Sequence, residues 1–140
     1  MIILDTNVLS ELMRANPDEN VLAWLDSQSS LDLHTTAITV AELLYGVARL
    51  AHGRRKTALR GAIESMLDGE LAGRVLPFDG DSARRYAMLV AEREAHGRPI
   101  SSVDAQIAAI CHAHDAALAT RNGKDFEATG VAVIDPWSAA

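Results

Sequence analysis

Cysteine is almost absent from the sequence, since Cys111 is the one thiol in 140 residues. A single thiol excludes an internal disulfide framework and a cysteine-rich zinc site, and we expect Cys111 to be buried and inert. Aromatic residues are also scarce, at 4% of the chain. With so few rings, the two tryptophans, Trp24 and Trp137, are predicted to serve the core or an interface rather than to stack nucleic-acid bases.

Long apolar runs are missing as well. The longest, Met1–Leu4 and Ala116–Ala119, fall far short of the ~20 residues that a helix needs to span a bilayer, so we expect no membrane segment. Acidic Asp5 interrupts the first run almost at once, which argues against a secretory leader. The sequence therefore predicts a cytoplasmic protein.

Positive charge is in deficit, with 13 Lys and Arg against 19 Asp and Glu and a formal net charge of −6. This balance argues against a general nucleic-acid coat protein, although it does not address a local basic face. Hydrophobic residues make up 49% of the chain, which is enough for a packed core, and 140 residues correspond to one domain. We expect a single domain over residues 1–140.

The sequence does contain a regular alternation of short apolar strands and amphipathic helices. Apolar residues recur at helical spacing between the predicted strands. These strands cover residues 1–4, 31–34, 74–76, 116–119 and 131–134. The helix after the second strand is expected to end at His52-Gly53. Such alternation indicates an α/β domain with parallel strands.

Four acidic residues are expected to meet at one edge of this sheet, where the carboxyl ends of parallel strands bind ligands. Asp5 ends the first strand, Glu42 is placed in the first turn of the helix after the second strand, and Asp125 follows the fourth strand. Asp104 lies at the start of the helix that precedes the fourth strand. A parallel strand is entered from the opposite edge of the sheet, so this helix must start at the carboxyl edge. The topology therefore predicts that four carboxylates converge.

Converging carboxylates need a counter-ion, because like charges held close together raise one another's pKa and oppose folding. Ligand sets made only of oxygen suit hard divalent cations, and Mg²⁺, or Mn²⁺ in its place, fits a site that leaves positions open for water and phosphate. Two such ions can activate a water molecule and stabilise the leaving oxygen of a phosphodiester. The pattern favours a metal-dependent nuclease.

A structural role for each carboxylate stays open on the residues alone. Thr39-Val-Ala-Glu42 and Ser101-Ser-Val-Asp104 match the spacing of a capping box, and Asp5 and Asp125 can each cap a helix start. The edge that the four residues share, rather than any one of them, favours the metal site.

Four segments of the sequence resemble the PIN-domain ribonucleases, and most closely the toxin subunits of bacterial VapBC- and FitAB-type toxin–antitoxin pairs. In family order across essentially the whole chain, they are Ile3-Leu-Asp5-Thr-Asn7-Val-Leu-Ser-Glu11-Leu, Thr39-Val-Ala-Glu42-Leu-Leu-Tyr45-Gly46, Ser102-Val-Asp104-Ala-Gln-Ile107-Ala-Ala and Ala119-Thr120-Arg-Asn122-Gly-Lys-Asp125-Phe126. A lone Asp-Thr-Asn is a weak signal, whereas four ordered blocks are specific.

The resemblance implies a Mg²⁺-dependent endoribonuclease built as a three-layer α/β/α sandwich with a short parallel sheet of four to five strands. It implies that the catalytic, metal-binding residues are Asp5, Glu42, Asp104 and Asp125. Thr6 and Asn122 would orient a carboxylate, a water or a phosphate. The implied assembly is a homodimer, or a heterotetramer or larger complex with a small antitoxin. The antitoxin would thread a segment into the active-site groove, and contact with operator DNA would occur only through it.

A cluster of basic residues follows the second acidic block, with five in twelve positions: Arg49, Arg54, Arg55, Lys56 and Arg60. Two interpretations stay open, a solvated helix face and a contact with RNA through Arg49, Arg54, Arg55 and Lys56. If one helix ran from Glu42 to Arg54, the two residues would lie ~18 Å apart, which confines such contacts to nucleotides well outside the scissile bond or to the groove of a partner subunit.

Two other functions stay open as well. One is an antitoxin-bound module that serves autoregulation or nucleic-acid binding with little turnover. The other is a metal-dependent phosphatase or DNA nuclease that acts on another phosphate ester. The RNA target does not follow from the acidic residues, because RNA specificity depends on groove shape and stacking.

Overall fold

The computed structural model describes residues 1–138, and within them the chain forms a five-stranded, all-parallel sheet. The strands are β1 (Ile2–Leu4), β2 (Leu33–Thr36), β3 (Val75–Leu76), β4 (Ala117–Ala119) and β5 (Val133–Ile134). Over the same residues the helices are α1 (Thr6–Leu12), α2 (Glu19–Asp26), α3 (Ala37–Ala48), α4 (Arg54–Asp68), α5 (Gly80–Ala95) and α6 (Ser102–Ala113). Two 3₁₀ turns lie at Ser30–Asp32 and Gly123–Phe126.

Helices cover both faces of the sheet, because successive residues of a strand point to opposite sides. Ile3 and Leu118 pack in one buried cluster with residues of α5 and α6. Their neighbours Leu4 and Ala119 pack in a second cluster with residues of α1 to α4. The predicted three-layer α/β/α sandwich with a short parallel sheet is therefore confirmed.

The strand order, β3-β2-β1-β4-β5, positions the site. From β1 the sheet grows to one side through β2 and β3 and to the other through β4 and β5. Such a change of direction leaves a crevice at the carboxyl ends of the two strands that flank it, here β1 and β4. Leu4 is in register with Ala119, so the next residues of the two strands, Asp5 and Thr120, enter this crevice side by side.

Two single residues match their sequence predictions. Trp24 is buried in the cluster of α1 to α4. Cys111 is fully buried on α6, and burial raises the pKa of its thiol to about 12, with a smaller contribution from the charge of Asp5. A thiol with so high a pKa stays protonated and unreactive at neutral pH.

No helix within residues 1–138 is long and apolar enough to cross a membrane.

Some predicted boundaries are wrong. The second strand lies two residues later than expected, because Ser30–Asp32 form a 3₁₀ turn and the buried threonines Thr35 and Thr36 continue the pairing with β3. The helix after it ends at Ala48 instead of His52-Gly53. Lys56 Nζ donates a hydrogen bond of 3.1 Å to the Ala48 carbonyl, and Gly53 is the N-cap of α4.

Candidate active site

A pocket of about 490 Å³ lies at the carboxyl ends of β1 and β4. Three of the four predicted acidic residues line it, namely Asp5, Glu42 and Asp104, together with the predicted polar neighbours Thr6 and Asn122. Asp125 does not line this pocket, but its charge raises the pKa of both Asp5 and Asp104, so it lies close to them. The fold thus brings all four carboxylates to one edge of the sheet.

Asp5 is the buried member of the group, with 6% of its surface exposed. Its Oδ1 accepts a hydrogen bond of 2.8 Å from the Thr6 N–H, so Asp5 is the N-cap of α1. Its Oδ2 accepts a bond of 2.7 Å from the Thr120 hydroxyl. Burial raises the pKa of Asp5, the charges of Glu42 and Asp125 raise it further, and the two hydrogen bonds oppose these effects. Asp5 is therefore both a helix cap and an acid whose charge is poorly compensated.

Asp104 lies half-buried in the first turn of α6. The N-cap is Ser101, whose Oγ accepts a hydrogen bond of 3.1 Å from the Asp104 N–H, as the capping-box interpretation predicts for this segment. Burial raises the pKa of the Asp104 carboxyl, and the charges of Asp125 and Asp5 add to this effect. The cap therefore uses the main chain of Asp104, and its carboxylate is under the influence of the other acids.

Glu42 belongs to the second turn of α3 rather than the first, and the proposed capping box from Thr39 to Glu42 is wrong. The N-cap of α3 is Thr36, whose Oγ1 accepts a hydrogen bond of 3.0 Å from the Thr39 N–H. Glu42 Oε1 instead accepts a bond of 2.6 Å from the Thr6 hydroxyl. Thr6 thus ties Glu42 to the start of α1, next to Asp5.

Asp125 lies exposed in the 3₁₀ turn Gly123–Phe126, where the buried ring of Phe126 anchors the backbone. Its N–H donates to the Asn122 carbonyl at 3.0 Å. Within residues 1–138 the structure gathers no three Asp, Glu, His or Cys side chains closely enough to hold one metal ion as they stand. The four acids form an electrostatic cluster, and a shared ion would require their side chains to move towards one another.

Sequence reasoning missed the polar residues that fix Asp5. Thr120 is fully buried, and Asn7 Nδ2 donates to its hydroxyl oxygen at 3.2 Å and to Asp5 Oδ2 at 3.5 Å. The Oδ1 of Asn7 accepts the N–H of Arg121 at 3.1 Å. A usable signal was present, because Thr120 follows β4 as Asp5 follows β1, at the crevice between the two strands.

Glu11, a fourth carboxylate that lines the pocket, was also missed, and it is 5% exposed. Its Oε1 accepts a hydrogen bond of 3.2 Å from Arg14 Nη1, and its Oε2 accepts the N–H of Asp18 at 3.1 Å. Because Glu11 is compensated by a cation and a main-chain donor, it differs from Asp5 and Asp104. Glu11 joins the end of α1 to the start of α2 and forms one wall of the pocket.

A second groove of about 640 Å³ adjoins the acidic pocket and shares Thr6, Glu42 and Arg14 with it. Arg55 lines this groove. One continuous helix from Glu42 would place the basic cluster far from it, but α3 ends at Ala48 and the chain turns back into α4. The basic cluster therefore begins beside the acidic residues.

The other basic residues of this cluster differ in their surroundings. The Arg49 guanidinium lies 5.5 Å from the centre of the Tyr45 ring, and Lys56 holds the end of α3. Arg54 is exposed in the first turn of α4. Positive charge in the first turn of a helix opposes the helix dipole, so an anion bound there would relieve an unfavourable arrangement.

The chain matches the family model of the PIN domain over residues 2–132. It is 48% identical over 140 residues to a protein named VapC ribonuclease Y4jK from Sinorhizobium fredii, with both chains covered completely. It is 45% identical over 137 residues to the Toxin FitB of Neisseria gonorrhoeae, with 98% of this chain and 99% of that protein covered.

Solved structures agree with these relationships. A structure described as FitAcB from Neisseria gonorrhoeae contains a chain with 45% identity and a TM-score of 0.92, covering 99% of this chain and 100% of that one. A structure of FitAB bound to an IR36 DNA fragment gives 44% identity and a TM-score of 0.92, with 100% and 98% coverage. From its sequence, its sheet order and these matches, the chain belongs to the PIN-domain family.

Proposed function

We propose that this chain, folded as one domain over residues 1–140, is a Mg²⁺-dependent endoribonuclease and the toxin of a toxin–antitoxin pair. The observation that carries the proposal is the acidic cluster at the β1/β4 crevice. Burial and neighbouring negative charge raise the pKa of both Asp5 and Asp104, so the cluster is electrostatically unfavourable without a cation. The names of full-length relatives, a VapC ribonuclease and a toxin, support the same function.

The donor set fits a hard divalent cation, because every group in the cluster is a carboxylate. PIN-domain nucleases generally use divalent metal ions. In the proposal Mg²⁺, for which Mn²⁺ can substitute, is held by Asp5, Glu42, Asp104 and Asp125. Such ions supply a water nucleophile at neutral pH and neutralise charge on the phosphodiester.

The polar residues of the pocket have two tasks in this proposal. The Thr120 hydroxyl and the Asn7 amide hold Asp5 at the crevice, and the Thr6 hydroxyl holds Glu42 beside it. If Glu42 held a cation, the Thr6 hydroxyl that now donates to it would be available to donate to a phosphate oxygen. Asn122 lines the same pocket and is the second candidate donor.

A polyanion also needs positive charge beside the carboxylates. The groove next to the pocket brings Arg55 to the side of Glu42 and Thr6, and Arg54 precedes it at the start of α4. We therefore assign the flanking phosphates of the RNA to Arg54 and Arg55, with Arg49 and Lys56 further from the pocket and committed in part to Tyr45 and to the end of α3.

The proposed partners follow from the relatives. Solved neighbours are described as FitAB and VapBC complexes, several of them bound to DNA fragments. We propose that this chain also pairs with a small antitoxin, which inhibits it. As the sequence resemblance implies, we further propose that the chain is a cytoplasmic homodimer and that operator DNA is contacted only through the antitoxin. Those DNA complexes also favour a second candidate function, a regulatory module with little turnover of its own.

Digestion of total cellular RNA by the purified chain, freed of any partner, tests the proposal. We expect new RNA ends with Mg²⁺, none with a chelator, and none from Asp5→Asn in either condition. Parallel reactions contain DNA and p-nitrophenyl phosphate. Absence of RNA turnover in Mg²⁺ by the folded protein would support the regulatory module instead, and preferential hydrolysis of DNA or of the small ester would make the chain another kind of phosphoesterase.

A further inference from the structure

An aromatic ring and a guanidinium lie against each other at the rim of the acidic pocket. Arg121 follows β4 and Trp137 follows β5, and because the two strands are parallel neighbours, both residues come to the same edge of the sheet as Asp5. The Arg121 guanidinium carbon lies 4.9 Å from the centre of the Trp137 ring. Both residues line the pocket that contains Asp5, Glu42 and Asp104.

This pair is fixed relative to the acids. The Arg121 N–H is bound by Asn7, whose amide also contacts Asp5. The main-chain N–H of Trp137 donates to Asp135 Oδ1 at 2.9 Å, and the main-chain carbonyl of Trp137 accepts a bond of 3.0 Å from Asn20 Nδ2 of α2. The ring is half-buried and packs against the cluster of α1 to α4, as the sequence analysis predicts for a core residue.

The charge of Arg121 is available to a ligand. Within residues 1–138 its guanidinium forms no ion pair, whereas the other arginine of the pocket, Arg14, is paired with the buried Glu11. Arg121 is exposed, so the face of its guanidinium away from the indole is accessible to a flat ligand. RNA-binding proteins commonly stack unpaired bases on aromatic rings and on guanidinium planes.

We propose that Trp137 and Arg121 form a stacking platform, on which a base of the RNA strand lies while the strand's phosphate is at the carboxylates. Trp137 backs the guanidinium, and Arg121 presents the flat, positively charged surface that the base contacts. The platform holds an unpaired nucleotide beside the scissile bond and so makes the enzyme select single-stranded RNA. This inference rests on the proposed ribonuclease function and adds to it a substrate-binding residue, Arg121, and a residue that positions it, Trp137.

Binding of two strands that differ only in their bases tests the platform. One is a short oligoadenylate, and the other is a ribose-phosphate strand of equal length and charge without bases. All proteins carry Asp5→Asn so that neither strand is cut. We expect Arg121→Lys, which keeps the charge, to weaken oligoadenylate binding by about 5- to 150-fold and to change binding of the baseless strand by less than about twofold. Trp137→Leu should do the same if it melts as the parent does.

Tyr45→Leu is the matched control, because it removes the ring under Arg49 outside the acidic pocket, and we expect it to bind both strands as the parent does. Equal weakening of the two strands by Arg121→Lys, or no weakening of either, would refute the platform. The test is separate from that of the proposed function. If the wild-type chain cleaves RNA while Arg121→Lys binds like the parent, the platform alone fails, and if the wild-type chain neither binds nor cleaves RNA, both fail.

Discussion

Neutralising Asp104 distinguishes a metal site from a structural role. Asp104→Asn keeps the shape of the side chain and leaves the Ser101 cap in place, since that cap binds the main-chain N–H of residue 104. It removes a negative charge that acts on Asp5 and Asp125. Because like charges oppose folding, we expect the metal-free variant to melt at the same temperature as the wild type or higher.

Mg²⁺ should stabilise Asp104→Asn less than it stabilises the wild type. A ligand at about 100 times its Kd stabilises a protein by about 2.7 kcal/mol, and at this chain length 1 kcal/mol corresponds to roughly 3 °C in Tm, so the wild type should gain about 8 °C. If Asp104→Asn weakens the ion's affinity tenfold, about 1.4 kcal/mol, or roughly 4 °C, of that gain is lost.

Thermal melts of both proteins, each with a chelator and with Mg²⁺, measure these differences. Ser101→Ala is the matched capping control, and it should cost about 1 kcal/mol, or roughly 3 °C, with or without the ion. The reasoning is refuted if Asp104→Asn lowers Tm equally in both conditions, as the capping control does, or if Mg²⁺ stabilises the variant as much as the wild type.

Three further predictions address the surroundings of the acids. Thr120→Val removes a buried donor to Asp5, so urea unfolding should show a loss of about 1–3 kcal/mol, and a loss below 0.5 kcal/mol would argue against that bond. Burial raises the pKa of Asp5, so the native state keeps this proton to higher pH than the unfolded chain. The stability of the metal-free wild type relative to Asp5→Asn should therefore fall as pH rises above about 3.8, and a flat difference between their urea melts would contradict this. Arg54→Ala/Arg55→Ala in catalytically dead protein should weaken RNA binding and lower the slope of log affinity against log salt by about 1 to 1.5, whereas Arg85→Ala on α5, the control, should not.

The sequence predicted the parallel sheet and its functional edge because both depend on coarse features. Apolar runs that end at Leu4 and Ala119 define strands, and parallel topology requires their carboxyl ends to meet. Boundaries depend on single hydrogen bonds, such as that from Lys56 to the Ala48 carbonyl, which periodicity does not reveal. The same limit applies to Glu42, whose partner is the Thr6 hydroxyl rather than a nearby main-chain N–H.

The detailed arrangement of the site also depends on residues far apart in sequence. Thr120 binds Asp5 across 115 positions, and Trp137 meets Arg121 because β4 and β5 are neighbours. Helical spacing and motif matching cannot supply such pairs. The expected convergence of the acids is realised as a pocket that three of them share and as the effect of the Asp125 charge on Asp5 and Asp104. A coordination sphere also depends on side-chain rotation, which a motif does not encode.

The most direct test of the central claim is the rate at which the wild type and four single variants cleave a mapped RNA site in Mg²⁺. The variants are Asp5→Asn, Glu42→Gln, Asp104→Asn and Asp125→Asn. Circular dichroism first shows that each of them is folded. If the carboxylates together hold the catalytic cation, each amide should lower the rate by more than about 100-fold. A variant that keeps more than about a tenth of the wild-type rate would remove its residue from the site, and wild-type rates from Asp5→Asn and Asp104→Asn together would contradict the account.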